Sequence, residues 1–61
     1  MKKHLRKLNG THLAQLAYEL SLPTRNMTKQ QLVDSIALWF NTYNLRWADA
    51  LSRWPWLGGA K

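Results

Sequence analysis

The 61 residues predict an all-α fold, a small three-helix domain built around a helix–loop–helix core. Three observations carry that expectation. Between Leu8 and Ile36, two amphipathic stretches of helical spacing stand on either side of Pro23; Thr28 opens the second with a complete capping signal; and no segment alternates apolar and polar residues with the period of a strand. A chain this short forms one domain, near the size at which a core alone supplies only about 3–5 kcal/mol. It has no cysteine, so no disulfide or thiolate metal site can staple it. Stability must come from apolar packing, for which 46% hydrophobic residues and the tryptophans Trp39, Trp47, Trp54 and Trp56 supply the material.

Residues 1–9 read as a flexible basic arm. Lys2, Lys3, Arg6 and Lys7 stand there with no acidic residue among them, and Asn9-Gly10 marks a turn that closes the segment. The domain proper is expected over residues 10–57. From Thr11, the residues Leu13, Leu16, Ala17 and Leu20 fall at i, i+3, i+4 and i+7, which predicts a helix over 11–20 capped by Thr11 or Asn9. Pro23 bars its continuation, because the ring disfavours α geometry at Leu22 and removes a backbone donor, so Ser21 to Met27 is a loop.

The second helix is expected over 28–43. Thr28 with Gln31 fits a capping box, and Met27 with Leu32 fits a hydrophobic staple, a start signal worth on the order of 1 kcal/mol. Leu32, Val33, Ile36 and Phe40 make its buried stripe, extended by Tyr43. A third helix is expected over 45–54, with Trp47, Ala48, Leu51 and Trp54 on its inner face, Asn44 as its cap and Pro55 as its stop. Residues 58–61 read as a frayed tail.

Leu8, Leu13, Ala17, Leu22 and Pro23, then Lys29, Leu32 and Ile36, form a pattern that resembles a SAP domain, a helical hairpin of about 35 residues usually associated with DNA binding. In that family a leucine opens the motif, a Leu-Pro pair ends the first helix, and a lysine begins the second. The resemblance covers a little over half the chain, and LEM and Rho N-terminal-type modules share similar spacing. Ser21 departs from it, standing where a glycine is usual, and Arg25-Asn26 replaces a small-Gly segment.

The net charge of +6, with Glu19, Asp34 and Asp49 as the only acids, attracts phosphates of nucleic acid, anionic membrane or acidic protein surfaces. Backbone N–H groups and the helix dipole make the start of the second helix an anion site, and Arg25, Asn26, Thr28 and Lys29 surround it. With the arm residues Lys2, Lys3, Arg6 and Lys7, these imply a nucleic-acid-binding module that contacts mainly phosphates, of DNA in preference to RNA. The plainer alternative is that these are solvated charges beside an ordinary cap.

A second functional class stays open beside it. Trp54 and Trp56 flank Pro55, and with Arg46 and Arg53 they have the composition of a protein-binding hot spot. The chain then reads as an adaptor or inhibitor, either a piece of a longer protein or a small phage or mobile-element protein that targets a host machine. No enzyme is expected. The three carboxylates lack a metal-like spacing, His4 and His12 are too few for a zinc site, and no nucleophile stands in an activating turn, so no catalytic residue, metal or cofactor is implied. The basic start runs into Asn9-Gly10-Thr11-His12 rather than an apolar stretch, and the run Ile36 to Phe40 is too short to span a bilayer. These features place the expected protein inside the cell, in cytoplasm, nucleoid or nucleus, away from membranes.

Overall fold

A computed structural model describes residues 1–59 of the chain. They form five helices, α1 (Lys2–Leu5), α2 (Gly10–Glu19), α3 (Lys29–Thr42), α4 (Trp47–Arg53) and α5 (Trp56–Gly59). The fold is all-α, with no strand among the described residues. α3 is the hub, since both α1 and α2 pack against it, while α4 and α5 pack on each other.

The segment expected to be a flexible basic arm is instead a helical turn closed onto the core. The Met1 carbonyl accepts from the N–H groups of His4 and Leu5, and Leu5 is 0% exposed with Leu8 buried beside it in the same cluster. Each leucine burial is worth roughly 1.5–3 kcal/mol, and that holds the cationic segment down.

α2 begins at Asn9, whose Oδ1 accepts from the His12 N–H at 2.8 Å. Its stripe of Leu13, Leu16, Ala17 and Leu20 is buried. The helix ends in a Schellman motif: the Leu22 N–H donates to the Ala17 carbonyl at 2.8 Å, the Ser21 N–H to that of Tyr18 at 3.0 Å, and Ser21 takes the left-handed φ of 61°. Pro23 therefore follows a helix already closed by its own backbone.

At the start of α3 the capping box is complete. The Thr28 hydroxyl accepts from the Gln31 N–H at 3.1 Å, and Gln31 Oε1 accepts from the Thr28 N–H at 2.8 Å. Leu32, Val33, Ile36, Ala37 and Phe40 are buried along the helix. Tyr43 does not extend that stripe, as the sequence pattern suggests; it is 61% exposed, and its ring lies against Trp39 at 4.6 Å on the outer side. The reason is that the chain leaves the helix there. A second Schellman motif, with Leu45 N–H to Phe40 carbonyl at 2.8 Å and Asn44 at φ 55°, ends α3.

Asn44 thus closes α3 and does not cap the next helix. α4 starts at Arg46, whose N–H donates to Asp49 Oδ2 at 2.8 Å. Its inner face also differs from expectation, because Ala50 is fully buried while Ala48 is exposed, with Trp47, Leu51 and Trp54 packed partly against the core. Pro55 does end α4, yet a proline fits the first turn of a helix, and the chain re-enters one as α5. Residues 58 and 59 of the expected frayed tail belong to that turn, and Leu57 within it is buried; residues 60 and 61 lie outside the described residues.

Candidate functional site

The cationic residues expected at phosphates divide between α1 with its following turn, which hold Lys2, Lys3, Arg6 and Lys7, and the entry to α3, which holds Arg25 and Lys29. On α1, Leu5 points into the core and the side chains of Lys2, Lys3, Arg6 and Lys7 are all exposed. Lys2 Nζ lies 3.2 Å from Asp34 Oδ1, and the same carboxylate oxygen accepts from Gln30 Nε2 at 2.9 Å. This relay ties the start of α1 to the first two turns of α3, the first of which carries Lys29. Both partners of the ion pair are about half exposed, so the pair contributes little to stability, within about 0–1 kcal/mol. Its consequence is for charge: Lys2 is partly neutralised, whereas Lys3, Arg6, Lys7, Arg25 and Lys29 face no carboxylate within ion-pair distance among the described residues.

Around the start of α3 the four sequence candidates have different roles. Arg25 and Lys29 are exposed cations. Asn26 supplies backbone geometry, with φ at 59° in the turn before the helix. The Thr28 oxygen is already engaged by the Gln31 N–H, so the hydroxyl's acceptor capacity serves the cap, and the first-turn N–H groups of Lys29 and Gln30 are the donors that the box leaves over.

The C-terminal cluster is not the exposed hot spot that its composition suggests. Trp54 is half-buried and tilted against Phe40 with ring centroids 6.2 Å apart; Trp56 is half-buried and stacked on His12 at 5.8 Å. Arg46 and Arg53 remain exposed. Burial of the indoles follows from the size of the core, because α1, α2 and α3 alone leave Phe40 and its neighbours uncovered.

Two features escape sequence reasoning. Each histidine stacks on a tryptophan, His4 on Trp47 at 5.0 Å with rings 3° from parallel and His12 on Trp56, so that α1 is joined to α4 and α2 to α5. His12 Nδ1 is shielded from solvent and has no hydrogen-bond partner among the described residues. These stackings pair residues far apart in sequence, and no periodicity encodes them. The other feature is a groove of about 320 Å³ lined by Leu22, Ser35, Leu38, Trp39, Thr42 and Tyr43. Its signal was present: Leu38 and Trp39 lie off the buried stripe of α3 at positions where a solvated helix carries polar residues.

Among the described residues, no three His, Asp or Glu side chains gather as a metal site, and no helix is long and apolar enough to cross a membrane. The chain matches no protein-family model, no curated protein and no solved structure.

Proposed function

We propose that the chain is a small nucleic-acid-binding module that holds duplex DNA mainly through its phosphates. The observation that carries this reading is the ordered basic turn α1. Leu5 anchors it, the Lys2–Asp34–Gln30 relay ties it to the start of α3, and Lys3, Arg6 and Lys7 are held out from the globule instead of trailing from a loose chain. Arg25 and Lys29 add charge at the α3 end, where the helix dipole favours an anion. The resemblance of the α2–loop–α3 segment to a SAP domain supports the same reading. Such contacts are sequence-tolerant, because phosphates carry no base information.

Fluorescence anisotropy on two unrelated duplexes and one single strand, at several salt concentrations, tests it. About four to six phosphate contacts predict that log affinity falls with log salt with a slope of roughly −3.5 to −5.5. Changing Arg25 and Lys29 to Ala lowers the slope by about 1–2 and weakens binding alike on both duplexes. Changing Lys3, Arg6 and Lys7 to Gln lowers it by about 2–3 and leaves the fold intact, since all three side chains are exposed. Binding that is indifferent to both sets of changes refutes the reading.

A further inference from the structure

We propose that the outer face of α3 is a docking site for an acidic amphipathic helix of another protein. This goes beyond phosphate binding and uses a different, apolar surface that borders the phosphate surface at Lys3 alone. Ser35, Leu38, Trp39 and Thr42 stand at i, i+3, i+4 and i+7, so they line one side of α3 for about 10 Å, and Leu22 and Tyr43 complete the groove. Leu38 is 65% exposed and Tyr43 61%. Scattered apolar residues on a surface need no explanation, but here they converge on one concavity. The Thr42 hydroxyl donates to the Leu38 carbonyl at 2.8 Å, which settles one of the few polar groups of the lining within α3 itself.

The chemistry of the partner follows from what lies beyond Leu38. That side chain is shared with a second depression of about 580 Å³, whose lining includes Lys2, Lys3 and Asp34. Asp34 is engaged by Lys2, so Lys3 is the charge left to meet a partner, and it is positive. A ligand seated along α3 therefore presents apolar side chains to Trp39, Leu38 and Tyr43 and a carboxylate to Lys3. Apolar anchors at helical spacing with acidic residues on one flank meet both demands. Trp and Tyr are the residue types that most often dominate such contacts, and the surrounding charge sets orientation and selects against basic partners.

The test uses a fluorescently labelled panel of peptides of about 14 residues, with Leu at i, i+3, i+4 and i+7 and Glu on the flanks, read by anisotropy against the intact chain. A matching panel carries Lys in place of Glu. The Glu peptides bind saturably, and the Lys peptides bind at least about tenfold more weakly. Leu38→Gln, at an exposed helical position where glutamine is well tolerated, weakens the Glu peptides about tenfold or more, and Lys3→Gln weakens them about threefold. Duplex affinity of Leu38→Gln stays within about twofold of the parent. The same peptide pattern without any duplex binding supports this site and removes only the phosphate reading. Equal binding of both panels, equal affinity of the parent and Leu38→Gln for Glu peptides, or no binding by any Glu peptide overturns the proposal. So does a loss of duplex affinity in Leu38→Gln, which assigns the groove to nucleic acid.

Discussion

Ser21 shows how a single residue can carry a backbone cost that sequence alone flags without explaining. Its φ of 61° is the left-handed conformation that the Schellman turn requires, one that favours glycine. An L-residue there costs roughly 1–2 kcal/mol, and glycine gives back about 0.5–1 kcal/mol through the greater freedom of the unfolded chain. Ser21→Gly is therefore expected to stabilise the protein by about 0.5–1 kcal/mol, a rise of several degrees in the thermal midpoint by circular dichroism. An unchanged or lower midpoint contradicts the account. Asn44 in the equivalent turn after α3 already tolerates this conformation, so Asn44→Gly gains less. Leu5 carries the opposite expectation. The sequence places it in a loose arm, because Lys2, Lys3, Arg6 and Lys7 surround it with no acidic residue among them. Since it is fully buried, Leu5→Ala costs about 2–5 kcal/mol, comparable to the stability of a domain this small. A variant that melts as cooperatively and as high as the parent shows that the arm reading was right.

At the scale of elements, what was legible depended on how many residues reported on each helix. α2 and α3 span several turns, carry four or more apolar residues in register and start at recognisable caps, so pattern and structure agree within one residue at most ends. α1 and α5 are single turns of four residues, shorter than any window in which a period can be measured. Their existence depends on tertiary contact: α1 packs against α3, and Leu5 and Leu57 both belong to the one buried cluster. α4 lies between these cases, located by its tryptophans but with its inner face turned onto Ala50, which is fully buried. The candidate site follows the same division. The cations were readable one by one, whereas their attachment to a common body and the groove beside Trp39 depend on packing. α4 and α5 cover the core through Trp54 against Phe40 and Trp56 against His12. Truncation after Tyr43 is accordingly expected to abolish the cooperative thermal transition seen by circular dichroism. A truncated chain with an unaltered midpoint identifies the C-terminal segment as a separable arm, and returns Trp54 and Trp56 to the role of partner anchors.

For the whole molecule, charge and stability are linked, because the +6 chain repels itself in the compact state that a small core must hold. A polyanion that binds the folded form relieves that repulsion and adds its own binding free energy to the stability. The ordered α1 makes this coupling specific to the fold: Lys3, Arg6 and Lys7 are fixed relative to α3 only while Leu5 is buried. A loose basic arm behaves differently, since it binds phosphate equally well from the unfolded chain and shifts no equilibrium. Duplex DNA at about 100 times its dissociation constant is thus expected to contribute roughly 2.7 kcal/mol, raising the thermal midpoint by on the order of 10 °C at low salt. At fixed duplex concentration the shift shrinks as salt is added, with the logarithm of the affinity, and is small for the variant in which Lys3, Arg6 and Lys7 are Gln. Differential scanning fluorimetry on the tryptophans, with duplex titrated at several ionic strengths, measures it directly. Binding by anisotropy without any movement of the midpoint shows that the phosphates are held by charge alone, independently of the fold that places α1 against α3.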